Sequence, residues 1–154
     1  MRQGVNQKFL RLDYFRVYSI CSEKDEYGND TAVEMYLNLD QAFTDSAKYS
    51  VVQRELNNKA GERIRIQKIQ KHNHSTIKDN QNNPYEYWEL EILRERITSL
   101  PGISKPDGSY DPIEVEDGER ICEDVTALYD PKTCIILIYR KREALSPAGI
   151  EDVL

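Results

Sequence analysis

The chain has 154 residues, 39% hydrophobic and 31% charged, with a formal net charge of −6. A chain of that length can bury about 68–70% of its unfolded surface, so a single domain spanning residues 1–154 is expected. The acidic balance argues against a general nucleic-acid binder, whose affinity rests on phosphate neutralisation by Lys and Arg, and no apolar run approaches the roughly 20 residues of a membrane helix.

Residues 8–21, KFLRLDYFRVYSIC, read as a strand. Leu10, Leu12, Tyr14, Tyr18 and Ile20 share one parity and Phe15 and Val17 the other, which predicts an element covered in part on both faces. SEKDEYGND (22–30) is a polar loop with Gly28 and Asn29 as turn formers. TAVEMYLNL (31–39) is the next predicted strand. The period then changes: Leu39, Phe43 and Ala47 recur every four residues, so a helix is expected from about 40 to 48, capped by Asp40 or Asn38. It continues or restarts through Val51, Val52 and Leu56, and NNKAG (57–61) ends it, with Gly61 as the stop.

Ile64 and Ile66 alternate with Arg63, Arg65 and Gln67, giving a strand over 62–72. Ile69 breaks the parity, which predicts a bulge or the strand's end there. NHSTIKDNQNNP (73–84) reads as a mobile loop. In YEYWELEILRER (85–96), Trp88, Leu90 and Ile92 are predicted to face the core. SLPGISKPDGSYDP (99–112) is a surface excursion turning at Asp107-Gly108, and IEVEDGE adds a short strand. Residues 125–142 read as a hairpin turning at Asp130–Thr133. Its second arm is apolar on both parities and is placed centrally. Ser146 and Pro147 announce a C-terminal helix with Ile150, Val153 and Leu154 as its apolar stripe. The expected fold is α+β: a single, mainly antiparallel sheet of about six strands, one central helix and a short C-terminal helix.

His72 and His74 lie on one strand face, and Asp79 is a nearby third ligand for a metal. The segment is polar and has no second ligand cluster, so a solvated loop is preferred. Glu86, Glu89 and Glu91 flank Trp88 and would serve acid–base chemistry, yet an exposed strand face carries such charges routinely, paired with neighbours such as Arg63 and Arg65. Arg63, Arg65, Lys68 and His72, with Arg140, Lys141 and Arg142, are the basic set for phosphate contact. EVEDGERICED (114–124) concentrates six acidic residues without the regular oxygen spacing of a cation loop. Cys122 sits beside Glu123 and Asp124, whose charge raises a thiol pKa. Cys21, Cys122 and Cys134 are odd in number and far apart, which fits reduced thiols. MRQGVNQKF has no apolar h-region, so no signal peptide is expected and the predicted location is cytoplasmic.

Four stretches together, KFLRLDYFRVY, LPGISKPDG, EDGERICEDVTALYDPKTCIILIYRKR and SPAGIEDVL, resemble a family of uncharacterised bacterial proteins. The resemblance covers most of the chain. It carries no assigned chemistry, so no catalytic residue follows from it. It implies that this chain is the N-terminal module of a longer architecture, continuing past the Ser-Pro helix.

These readings converge on a non-enzymatic protein-interaction module of bacterial or phage origin. Its acidity and size are those expected of an inhibitor or subunit in phage defence or counter-defence. The partner is expected to be a protein, such as a nucleic-acid-binding complex, with no membrane, cofactor or metal. The contact residues expected are Glu114, Glu116, Asp117, Glu119 and Glu123, with Ile150, Val153 and Leu154. The alternatives are a nucleic-acid-binding or metal-dependent nuclease module using Arg63, Arg65, Lys68 and His72, and a structural subunit of a larger assembly. Oligomeric state is left open.

Overall fold

A six-stranded antiparallel sheet organises the molecule, and the alternation of apolar residues along its strands explains which side is covered. The computed structural model describes residues 12–59, 61–96, 101–140 and 149–150. In chain order the elements are β1 (Asp13–Arg16), β2 (Tyr18–Lys24), β3 (Asp30–Tyr36), α1 (Asp40–Ser46), a 3₁₀ turn (Val51–Arg54) and β4 (Glu55–Asn57). There follow β5 (Arg63–Lys78), β6 (Pro84–Glu95), β7 (Gly102–Ser104), β8 (Tyr110–Pro112), β9 (Cys122–Asp130) and β10 (Ile135–Arg140). The main sheet has the order β1-β10-β9-β6-β5-β4, and β2–β3 and β7–β8 are separate two-stranded ribbons. Among the described residues the architecture is mainly β, with α1 as the one helix of seven residues.

Register aligns the apolar parity of neighbouring strands. Ile66 pairs with Ile92 and Ile92 with Val125. Leu90 pairs with Ala127 and Ala127 with Ile138. Trp88 and Ile136 both pair with Tyr129. All these side chains are buried on one face, here the inner face. A one-residue slip would turn them all to the outer face, so burial itself fixes the register. A register shift between Ile66 and Lys68 lets Gln67 bulge, which returns Ile69 to the inner face. There it packs against the core.

The lid of that core is α1. Leu39 and Phe43, four residues apart, are buried. The Phe43 ring meets Trp88 and Tyr129 edge-on at 5.7 and 5.4 Å. Three polar contacts anchor the helix start. Asp40 accepts from Trp88 Nε1 at 2.7 Å. Tyr129 Oη accepts from the Leu39 N–H at 3.0 Å and donates to the Leu37 carbonyl at 3.1 Å. Leu39, not Asp40 or Asn38, stands at the N-cap; the Asp40 side chain is committed to Trp88. Ile150 completes the cluster, 1% exposed, with Gly149 and Ile150 in helical conformation. Val153 and Leu154, like Lys141 and Arg142, lie outside the described residues.

Several expectations change. The predicted loop 73–84 is largely strand: β5 runs to Lys78 and pairs with β6 as far as His74–Tyr85 and Lys78–Pro84. Its turn closes through Asp79 Oδ1, which accepts from the Gln81 and Asn83 N–H groups at 2.9 and 2.8 Å. Leu56 belongs to β4, not to a prolonged helix. The short strand near 113–119 is instead β8, at 110–112. It pairs with β7 around the Asp107-Gly108 turn. A Cβ on Gly102 of β7 would sit 2.2 Å from the ring of the exposed Tyr110, which would have to swing aside. The first predicted strand breaks at Val17, whose N–H donates to the Cys134 carbonyl and whose carbonyl accepts from Leu37. Val17 therefore moves the chain from the main sheet to the ribbon.

Candidate interaction face and arginine cleft

The outer face of the main sheet carries two different surfaces. On the β1-β10-β9 half, Tyr14 pairs with Leu137 and Leu137 with Leu128, all three exposed. One residue pair further, Arg16 reaches into the β2–β3 ribbon: its Nη1 donates to Tyr36 Oη at 2.9 Å and its guanidinium lies 5.1 Å from the Tyr36 ring. Tyr36 is the cross-strand partner of Tyr18, and Ile20 follows on the same ribbon face. Tyr14, Ile20 and Tyr36 are 72%, 69% and 66% exposed. The parity Tyr14, Tyr18, Ile20 was expected to be partly covered. It is exposed because α1 and Ile150 cover only the inner face.

On the β9-β6-β5-β4 half the outer face is charged. The bulge at Gln67 keeps Arg63, Arg65, Lys68 and His72 on this one side. Glu89 serves two of them: Oε1 lies 2.9 Å from Lys68 Nζ and Oε2 is 2.7 Å from His72 Nε2. The Lys68 ammonium, first, and His72 hold the Glu89 carboxyl below its ordinary range. His72 also stacks on Tyr87 at 5.1 Å. Glu86 points to the inner side instead, 3.3 Å from Lys71. The three glutamates around Trp88 are therefore split between faces.

At the end of this half lies a cleft of about 250 Å³ between β4, β5, β6, the start of β9 and the loop at Gly118. Arg63 Nε is 3.3 Å from Glu55 and 3.4 Å from Glu95. Arg120, from the loop, places Nε 2.7 Å from the other oxygen of Glu95. Arg65 lines the same cleft and has no carboxylate partner among the described residues; its Nε is buried without a hydrogen-bond acceptor. Cys122 forms part of the wall. Burial, ahead of Glu95 and Glu55, pushes its thiol pKa up, while Arg65 pulls it down. The direction matches expectation, but the neighbours Glu123 and Asp124 are not its cause.

The predicted acidic patch divides. Glu114, Glu116, Asp117 and Glu119 are exposed on the loop after β8. Glu123 is not with them. It lies in β9, register sets it opposite Arg94, and it pairs with Arg94 and with Arg96 Nη2 at 2.8 Å. Ile150 is spent on the chain's own core and offers no docking stripe. The metal set does not assemble either. His74 Nδ1 bonds Thr76 at 2.9 Å, His72 is held by Glu89, and Asp79 pairs with Lys132. Among the described residues no group of three or more His, Cys, Asp or Glu is placed to hold a metal. No helix among them is long and apolar enough to cross a membrane.

Fold and surface define a mainly β domain whose antiparallel sheet is covered on one face by α1 and Ile150, with no described element packed over the other. The chain belongs to the family of unknown function DUF6731, whose model matches residues 5–154. No curated protein and no solved structure matches it.

Proposed function

We propose that this protein is a protein-interaction module that binds its partner through the outer face of β1 and β10 and the adjoining face of the β2–β3 ribbon. The observation that supports the reading is the continuous exposed strip Leu128, Leu137, Tyr14, Tyr36, Tyr18 and Ile20, with Arg16 set within it. Contiguous apolar patches of this kind mark interaction sites on soluble proteins. Tyrosine and arginine are the residue types enriched at interface centres, because they bring large contact area and few rotatable bonds. β1 is also the edge of the main sheet. Among the described residues an edge strand of this kind is where a partner can add a strand. The acidic loop lies away from this strip and takes the role of steering a basic partner, raising its association rate more than its affinity.

Nucleic acid fits this surface less well. Of the basic set Arg63, Arg65, Lys68 and His72, all but Arg65 already face carboxylates, so binding phosphate there would first break those contacts.

Site-specific photo-crosslinking in the native host tests the proposal. A benzophenone side chain replaces Tyr36 in the strip or Tyr49 beyond α1, which is also exposed. The expected result is a discrete protein adduct from position 36 and none from position 49. An identical pattern from both positions, or an adduct to nucleic acid alone, overturns it.

A further inference from the structure

We propose that the cleft walled by Arg63, Arg65, Arg120 and Cys122 binds a small oxyanion, a phosphate or carboxylate group, with Arg65 as its principal ligand. Two carboxylates, Glu55 and Glu95, occupy two of the three guanidiniums: both engage Arg63, and Glu95 also holds Arg120. These five side chains sum to one positive charge, from three arginines against two glutamates. The uncompensated member is Arg65, whose Nε is buried with no acceptor. A buried donor on a charged group is rarely left unpaired, since its lost hydration is then not replaced. A guanidinium presents a planar fork of N–H groups that matches two oxygens of a carboxylate or phosphate.

Size and position limit the ligand. The cleft, at about 250 Å³, falls below the roughly 300–1,000 Å³ of pockets that hold drug-sized molecules. A single oxyanion with a short carbon skeleton fits; a nucleotide does not. The carboxylates do not exclude it, because each is already neutralised by the arginine it touches. They orient Arg63 and Arg120 and leave the Arg65 guanidinium with no carboxylate partner among the described residues. The cleft lies at the β4 end of the outer face, the other end of the sheet order from the strip on β1 and β10. Its occupancy is therefore separable from partner binding.

Cys122 provides a reporter, being an exposed thiol in the cleft wall, and half-buried Cys21 on the ribbon is the internal control. The rate of carboxamidomethylation by neutral iodoacetamide is followed at each cysteine by peptide mass spectrometry on the full chain. Inorganic phosphate or malonate is titrated against sodium chloride at matched ionic strength. Saturable slowing at Cys122 and not at Cys21, lost in Arg65→Gln, is the expected result. Slowing by phosphate alone assigns a phosphoryl ligand, and by malonate alone a carboxylate ligand. If neither anion slows Cys122 beyond chloride, or Arg65→Gln is protected as well as the wild type, the proposal is overturned. Arg65→Lys guards against a folding defect: it keeps the charge, and protection should weaken without disappearing while the thermal midpoint is retained.

Discussion

The two faces of the main sheet are built by the same strands from alternate residues, yet they play opposite roles. Inner residues Leu90, Val125 and Ala127 have no exposed surface. Their neighbours one position away, Glu89, Glu91, Thr126 and Leu128, form the outer face and are not buried. What separates the faces is coverage, not strand propensity. Phe43, Leu39 and Ile150 seal one side, and none of the described elements seals the other. The inner face therefore carries stability, and the outer face is free to carry contacts.

The sharpest way to break this comparison is to truncate on each side. Leu90→Ala removes a fully buried side chain at the centre of the sheet and should destabilise by roughly 2–5 kcal/mol, transfer loss plus cavity. Tyr14→Ser on the outer face should stay within about 0.5 kcal/mol. Urea denaturation of both variants, with unchanged m-values, checks the contrast. Comparable losses would mean that the outer face is covered in solution.

A smaller effect is expected where α1 meets the inner face. Tyr129→Phe keeps the ring packed on Phe43 but removes the hydroxyl that serves both Leu39 N–H and Leu37 carbonyl. Leu39 is buried, so its N–H loses its acceptor where water cannot replace it, at a cost of about 1–3 kcal/mol. Faster amide exchange at Leu39 and Phe43, with β6 unchanged, would locate the loss at the helix start. A variant as stable as the wild type would show that the hydroxyl does not hold the lid.

How much of this was legible follows from the same contrast. Trp88, Leu90 and Ile92 were readable as an inner face, since a central strand with one covered side alternates cleanly. The parity break at Ile69 was readable as the bulge at Gln67. The exposure of Tyr14, Tyr18 and Ile20 was not readable. A strand's pattern reports which residues share a face, but the residues that cover it, Phe43 and Ile150, are distant in sequence. The β5–β6 tip was missed because it projects past the core, where His, Asn, Ser and Thr leave no apolar alternation to detect. Glu123 was misplaced because an acidic run looks uniform in sequence. The strand beginning at Cys122 turns Glu123 toward Arg94 and away from Glu114 and Glu116. Arg63 and Arg65 were readable as one face, but the cleft they line needed Arg120 and Cys122 from the loop after β8 and the start of β9.

A double variant asks whether the outer face recognises anything. Ile20→Ser and Tyr36→Ser together should leave the denaturation midpoint within the range of a surface change. They should abolish the crosslink formed from a benzophenone at position 14. Retention of that adduct at wild-type yield would show that the ribbon half of the strip takes no part.

The smallest effect lies at the projecting tip, which neither face's packing holds. Asp79 in the β5–β6 turn pairs with Lys132 in the β9–β10 turn. That contact, then the Asn83 N–H, lowers the Asp79 carboxyl from 3.8 to about 2. A carboxyl depressed in the folded state favours folding above its unfolded value, and that contribution disappears as pH falls through the folded one. The tip should therefore loosen between about 3.8 and about 2, without change near neutrality. The carboxyl carbon-13 resonance of Asp79 should titrate with a midpoint near 2, and Lys132→Met should move that midpoint up toward 3.8. A wild-type midpoint already at 3.8 would show that the two turns are not joined by charge. Because the Lys132 side of the pair is exposed to solvent, added salt should shift the midpoint in the same direction as Lys132→Met, and more weakly.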